Sequence, residues 1–265
     1  MKKVKDVIEV MEEFAPKTLK EDFDNVGLMV GDKQKKVEKI LLALDCTLNV
    51  IEEAKEKKVD LIITHHPLIF RKPNSITTDT LIGKKIIELI KNDISLYSSH
   101  TNLDSAEKGL NETIVNILGY ESKELLEVNK RARNDNEGLG RIIRLEDYIQ
   151  LEDLIKDIKE KLNINSLKVV RGCEKVKNIA VINGSGSGSD FFEKAYKKGA
   201  DCIITGDTTY HYASDYKEMG VSIIDTGHFS SEWIVFLEVI NKIKDKLEDL
   251  EILISTKSED PYTFV

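Results

Sequence analysis

The stretch Asp60-Leu61-Ile62-Ile63-Thr64-His65-His66 returns later in the chain as Asp201-Cys202-Ile203-Ile204-Thr205-Gly206-Asp207, with the core Asp-x-Ile-Ile-Thr unchanged. Its central residues show no apolar–polar alternation, which is typical of a strand buried on both faces of a parallel sheet. Each copy lies between two further apolar runs, and helix-forming segments separate the runs: 40–45 and 94–99 around the first copy, 179–183 and 221–225 around the second. This order predicts two α/β units with parallel strands.

The repeated stretch predicts an α/β fold of two related lobes that arose by internal duplication. Chance similarity between two generic βαβ units stays open as an alternative. Residues 121–137 are charged and poor in strand signals, and an amphipathic helix is predicted for about 151–162. We place the boundary near this region. Residues 1–125 together with 226–265 are predicted to form the first lobe, and 126–225 the second.

Composition and charge exclude several classes of protein. The net charge of -8 disfavours an extended nucleic-acid surface, because an acidic protein repels a phosphate backbone. No run of about 18 apolar residues is present, so no membrane span is predicted. The first residues, Met1-Lys2-Lys3-Val4-Lys5-Asp6, lack the apolar core of a signal peptide. These features together predict a cytoplasmic protein.

All five histidines of the chain follow predicted strands. His65, His66, His100 and His228 lie where a strand runs out into a loop, and His211 follows another strand end. In parallel α/β sheets, ligands bind beyond the carboxyl ends of the strands, where distant parts of the chain converge. The histidines are therefore predicted to form a functional cluster.

The chemistry of these positions indicates a metal site. Adjacent imidazoles at a strand end project in different directions and so suit two ions, or one ion and a substrate. His228 and Glu232 are four residues apart, so a helix that includes both would present them on one face. An exposed intrahelical pair is the alternative for these two residues. Three imidazoles and two carboxylates exceed the three protein ligands of one open catalytic zinc. They suit two divalent ions, with zinc, manganese, iron and cobalt all compatible, and the predicted ligands are His65, His66, Asp104, His228 and Glu232.

Other residues are candidates for supporting roles. His100 and His211 are the predicted catalytic residues, as proton shuttles or as groups that orient a ligand, and Asp207 is the alternative to His211. Asp45 follows a strand and is either a hydrogen-bonding partner of a ligand or a helix cap. The loop from Gly184 to Ser189 precedes a helix, and its amides are candidates for holding a phosphate. A flexible connection is the alternative for this loop.

Several motifs in a fixed order resemble the NGG-one-interacting-factor-three-like family, whose members are often named GTP cyclohydrolase I type 2 homologues. The motifs are Asp24-Asn25-Val26-Gly27-Leu28, Thr64-His65-His66-Pro67-Leu68-Ile69-Phe70, His100-Thr101-Asn102-Leu103-Asp104, Gly206-Asp207, and Asp225-Thr226-Gly227-His228 with Ser231-Glu232. The resemblance implies two α/β lobes flanking a dinuclear metal site. It also assigns the ligands to the same five residues and implies a ring-shaped homohexamer.

The predicted function is that of a dinuclear metal-dependent hydrolase acting on a small molecule such as a nucleotide. In its GTP cyclohydrolase form, hydroxide generated at the ions attacks guanine C8, opens the imidazole ring and releases formate. Two alternatives stay open. One is a dinuclear phosphoesterase, and the other is a non-catalytic metal-binding or interaction protein.

Overall fold

The computed structural model of the protein describes residues 1–122, 124–186 and 190–263. It has an α/β fold with two mixed sheets. The helices are α1 Val4–Phe14, α2 Leu48–Glu56, α3 Leu81–Lys91, α4 Thr101–Ser105, α5 Leu110–Ile117, α6 Leu151–Lys161, α7 Phe191–Lys197, α8 Tyr210–Glu218 and α9 His228–Ile243. The strands are β1 Gly27–Val30, β2 Lys39–Ala43, β3 Leu61–Thr64, β4 Ser95–Ser98, β5 Glu124–Val128, β6 Gly138–Gln150, β7 Lys168–Val170, β8 Lys175–Ser185, β9 Cys202–Asp207, β10 Ser222–Asp225 and β11 Glu251–Ile254.

The chain forms two compact units. The first contains Met1–Leu103 and Ile240–Glu259, and the second contains Asp104–Val239 and the residues from Asp260 onward. The sequence analysis assigned 104–125 and 226–239 to the first lobe instead. Their place in the second unit follows from packing, because α5 lies against β6 and β8.

The first unit is built on a sheet of strand order β1-β4-β3-β2-β11. Strands β11, β2, β3 and β4 run parallel, and β1 joins the edge antiparallel to β4. β3 is buried along its whole length, as expected of a central parallel strand. One face of the sheet packs on α2 and α3, with a core that includes Leu41, Ile62, Leu96, Ile51 and Leu89.

The second unit has a sheet of strand order β5-β6-β8-β9-β10-β7. Only β8, β9 and β10 form a parallel set, and antiparallel strands border it on both sides. Its core includes Ala180, Ile203 and Ile223 from the sheet, packed against Phe192 of α7 and Tyr216 of α8.

Equivalent hydrogen bonds support the predicted duplication. Asp60 precedes β3, and its Oδ2 accepts from the backbone N–H of Lys39 and of the residue before it, at 3.0 and 2.8 Å. Asp201 precedes β9, and its Oδ2 accepts from the backbone N–H of Asn178 and of the residue before it, at 2.8 and 2.9 Å. In both units the aspartate fixes the start of the central strand relative to its neighbour. The shared Asp-x-Ile-Ile-Thr core therefore has the same structural role twice.

The structure corrects the sequence analysis at several strands. The stretch predicted to be poor in strands contains β5, which pairs antiparallel with the long β6. The edge strands β1, β7 and β11 were also not predicted. Among the described residues, no helix combines the length and apolarity that a membrane crossing requires.

A buried carboxylate ties the C-terminal segment of the first unit to α2. Glu53 is only 4% exposed. Its Oε1 accepts from Lys57 Nζ at 2.7 Å and from Thr256 N at 3.0 Å, and its Oε2 accepts from Ser255 Oγ. Burial raises the pKa of Glu53, but these hydrogen bonds outweigh burial and lower the pKa to about 2.

We expect Glu53→Gln to destabilise the protein near neutral pH by about 2 kcal/mol, because the charged hydrogen bonds are lost. Since the folded pKa lies below the ordinary glutamate value of 4.5, this stabilisation is present above about pH 4.5 and disappears as the pH falls towards 2. Urea unfolding of both proteins at pH 7 and pH 3.5 measures the difference. Glu52→Gln, an exposed neighbour, is the matched control. An equal difference at both pH values would contradict the assignment.

Candidate metal site

Three histidines of the first unit lie together at the carboxyl ends of neighbouring strands. His65 and His66 follow the end of β3, and His100 follows β4, its parallel neighbour. The ring centroid of His65 lies 5.1 Å from that of His66 and 5.0 Å from that of His100. One nitrogen from each of the three rings lies within 4.8 Å of the others. The strand ends therefore bring the predicted histidines into one cluster.

Backbone and hydroxyl contacts hold these strand ends in place. Thr64, the last residue of β3, shares a 2.8 Å hydrogen bond between its Oγ1 and Ser98 Oγ at the end of β4. Its carbonyl accepts from Ser99 N at 3.0 Å, and His66 N donates to Leu44 O at 3.0 Å. The parallel ladder thus continues just past the strands, so the histidines leave from a fixed backbone.

Each of the three imidazoles donates a hydrogen bond through Nδ1. The acceptors are Ser99 O for His65, Asp45 Oδ1 for His66 and Asp24 Oδ1 for His100, all at 2.9 Å. A carbonyl or carboxylate oxygen only accepts, so the hydrogen sits on Nδ1 and the neutral ring carries its lone pair on Nε2. Metal-binding histidines are oriented in this way by oxygen acceptors.

Asp24 is the most heavily bonded of these acceptors. Besides His100, its Oδ1 accepts from Asn25 N at 2.8 Å. Its Oδ2 accepts from the backbone N–H of Thr101 at 3.1 Å and from the Thr101 hydroxyl at 2.5 Å. Burial raises the pKa of Asp24, but the hydrogen bonds from His100 and Thr101 lower it to about 2. The side chain is therefore a carboxylate at neutral pH.

The second unit contributes another histidine with the same arrangement. His228 begins α9, directly after the end of β10. Its Nδ1 lies 2.6 Å from Oδ2 of Asp207, the last residue of β9, and its Nε2 lies 3.0 Å from Oε2 of Glu232. Burial lowers the pKa of His228, but both carboxylates raise it, to about 10. The predicted pairing of His228 and Glu232 within one helical turn is confirmed, with Glu232 buried rather than exposed.

Gly184 makes room for the Glu232 carboxylate. It lies one residue before the end of β8 with a φ of +65°, and a Cβ at this position would lie 1.9 Å from Glu232 Oε1. Only glycine fits both the backbone conformation and the close approach. Of the loop proposed to hold a phosphate, Gly184 and Ser185 belong to β8, Gly186 N donates to Thr205 Oγ1 at 3.1 Å, and residues 187–189 lie outside the described residues.

Asp104 and His211 were also predicted to belong to the site. Asp104 belongs to the short α4, and it is buried, with its carbonyl oxygen accepting from Asn111 Nδ2 at 3.2 Å. His211 lies in the first turn of α8 and is exposed, with its ring against Tyr210. Among the described residues, the candidate metal-holding groups do not include either. Their roles stay predictions.

The structure resolves the open question about Asp45. Asp45 orients His66, whereas the cap of α2 is Thr47, whose side chain accepts from Val50 N. Asp24 was recognised only as part of a motif, and its bond to His100 was not predicted.

The donor set fits a divalent transition ion. Three imidazoles with fixed tautomers offer nitrogen ligands within a few ångströms of one another, and a histidine–carboxylate pair is present in the second unit. Nitrogen and carboxylate ligands suit zinc, manganese, iron and cobalt. A family model described as Duf34/NIF3 (NGG1p interacting factor 3) matches residues 2–261.

The chain belongs to the DUF34/NIF3 family. The resemblance seen in the motifs is therefore confirmed. A relative from Clostridium perfringens named "GTP cyclohydrolase 1 type 2 homolog" is 52% identical, with 99% of this chain and 100% of the relative covered. Among solved structures, Staphylococcus aureus hypothetical protein SA1388 is 32% identical with a TM-score of 0.87, covering 99% of each chain. Reduced HcgD from Methanocaldococcus jannaschii is 34% identical with a TM-score of 0.82, covering 96% of this chain and 97% of that one.

We expect Asp24→Asn to weaken metal binding by about 10- to 100-fold. An amide has a single acceptor oxygen, so either His100 or Thr101 would face an NH2 group. Competition with a chromogenic chelator measures the affinity for zinc, and Asp32→Asn, at an exposed site away from the histidines, is the control. Unchanged zinc affinity in the Asp24 variant would show that this carboxylate does not orient a ligand.

We expect Gly184→Ala to displace the Glu232 carboxylate and to reduce the metal content of the purified protein. Gly199→Ala is the matched control, because Gly199 has a similar φ of +76° but nothing within 4 Å of an added Cβ. Both variants carry the strain of a left-handed alanine, of about 1–2 kcal/mol. Elemental analysis should therefore separate them, and equal metal contents would refute the proposed role of Gly184.

Proposed function

We propose that the protein is a metal-dependent hydrolase that acts on a nucleotide or a related heterocycle. In this proposal two divalent ions are bound, and the ligands are His65, His66, Asp104, His228 and Glu232. The support for this proposal comes from what the structure shows within each unit.

The observation that carries the proposal is the shared orientation of four strand-end histidines. His65, His66, His100 and His228 all direct Nδ1 to an oxygen acceptor, at 2.9, 2.9, 2.9 and 2.6 Å. A structural histidine needs no such common arrangement. Acceptors that fix the tautomer and raise the basicity of Nε2 are typical of metal-binding histidines.

Divalent ions at such a site lower the pKa of a bound water towards neutrality and polarise the substrate. The protein's own residues have separate tasks. Asp45 holds the proton of His66 on Nδ1, and Asp207 accepts from Nδ1 of His228. Asp24 holds the proton of His100 on Nδ1, so Nε2 of His100 is the atom that accepts or delivers a proton if this residue acts as the predicted shuttle.

The named form of the proposed activity is that of a GTP cyclohydrolase, in which water is added at guanine C8 and formate is released. This form is supported by the name "GTP cyclohydrolase 1 type 2 homolog" of the relative that is 52% identical. The predicted homohexamer also stays a proposal, and the mass of the protein in solution tests it.

We expect metal-reconstituted protein to convert at least one member of a nucleotide panel, with the products identified by mass spectrometry. Formate with a ring-opened base supports attack at C8, whereas inorganic phosphate would identify a phosphoesterase instead. Chelation should abolish turnover, and readdition of the metal should restore it. Turnover that survives complete chelation would refute a metal-dependent reaction.

Two histidine variants serve as the matched pair for this experiment. His228→Ala removes a proposed ligand and should lower the metal content as well as turnover. His211→Ala removes an exposed histidine and should leave the metal content unchanged. Full metal occupancy in purified His228→Ala would exclude this residue as a ligand.

A further inference from the structure

Two phenylalanines of the first unit form an exposed pair beside the histidine cluster. Phe23 is 65% exposed and Phe70 is 43% exposed. Their ring centroids lie 6.2 Å apart with the planes at 53°. Single apolar side chains on a surface are common, but two aromatic rings in contact at the edge of a polar site are typical of ligand recognition.

The segments that carry these rings are tied to the histidines. Phe23 precedes Asp24, the residue that accepts from His100 Nδ1. Phe70 lies four residues after His66, and the carbonyl oxygen of Ile69 accepts from Asn25 Nδ2 at 2.6 Å. This hydrogen bond joins the two segments to each other. The rings therefore sit at a fixed position relative to the cluster.

Neighbouring residues in the second segment are anchored in the core. Leu68 and Ile69 pack against the buried cluster of the first unit. Phe70 remains outside although the residues before it are turned inward. Phe70 is therefore exposed on a segment that the two preceding residues anchor in the core.

The charged residues next to the two phenylalanines differ in sign. Arg71 and Lys72 directly follow Phe70 and are exposed, and among the described residues no carboxylate pairs with either. Glu21 and Asp22 directly precede Phe23. An anionic group is therefore favoured at the Phe70 end, although the chain as a whole has a net charge of -8.

We propose that Phe23, Phe70, Arg71 and Lys72 form a binding subsite for a nucleoside phosphate. The planar base stacks on the two rings, and the phosphates contact the two cations. This inference deepens the proposed function and rests on it for the chemical class of the substrate. Aromatic stacking accepts any planar base, so the subsite positions the base without selecting among bases.

The test is isothermal titration of the full chain with two probes. One probe is 7-deaza-GTP, which has a planar base but lacks N7 and so resists ring opening at C8. The other is tripolyphosphate, which has the phosphates without a base. Phe23→Leu and Phe70→Leu keep an apolar side chain and remove the ring, and Tyr148→Leu, an exposed aromatic of the second unit, is the control.

Each phenylalanine variant should bind 7-deaza-GTP about tenfold more weakly, as expected for the loss of one stacking partner. Its affinity for tripolyphosphate and its metal content should not change. Arg71→Gln should weaken the binding of both probes, and Tyr148→Leu should weaken the binding of neither.

Three results would overturn the subsite. The first is that the unaltered chain does not bind 7-deaza-GTP, and the second is that both leucine variants bind it with unchanged affinity. The third is that a leucine variant differs in mass in solution from the unaltered chain, which would show that the rings pack between copies of the chain. Because this readout is binding, it is independent of turnover. Failure of the hydrolase proposal with a positive binding result would leave the subsite intact, and the reverse outcome would remove only the subsite.

Discussion

The hydrogen bond from a histidine Nδ1 to a fixed oxygen is the interaction on which the candidate site depends. A neutral imidazole has one proton, and its position decides which nitrogen can bind a metal or accept a proton. Ser99 O and the carboxylates of Asp45 and Asp24 settle that choice at three rings, and Asp207 accepts from Nδ1 of a fourth, His228. Because these acceptors are held by strands or by several further hydrogen bonds, the orientation of each ring is set before any ligand arrives.

The two sheets show how similar backbone frames support different chemistry in the two units. By strand register, Asp45 in the first unit corresponds to Gly184 in the second, since Ala43 pairs with Thr64 as Ile182 pairs with Thr205. Asp45 orients a histidine, whereas the missing side chain at Gly184 admits the carboxylate of Glu232. Likewise His66 and Asp207 both lie two residues after the threonine of the Asp-x-Ile-Ile-Thr core. One is a candidate ligand, and the other is the acceptor for a ligand.

Much of this arrangement could be predicted from sequence because it depends on local patterns. Continuous apolar runs identify the parallel strands, and parallel strands place the residues after them at one edge. The edge strands were missed because they are short or half-exposed, as in β7 and β11, where burial gives little periodic signal. The role of Asp24 could not be inferred either. Its partner His100 lies 76 residues away, and no local rule couples an aspartate in a loop to that ring.

The carboxylates beside His228 favour a positive charge at this position. Asp207 and Glu232 both contact His228, and together they raise its pKa to about 10 despite burial. Such a shift measures how strongly this position favours positive charge. A divalent cation would satisfy the same preference through the same atoms, with the ring returned to its neutral form. The negative charge that makes a nucleic-acid surface improbable is, at this position, the feature that favours a metal.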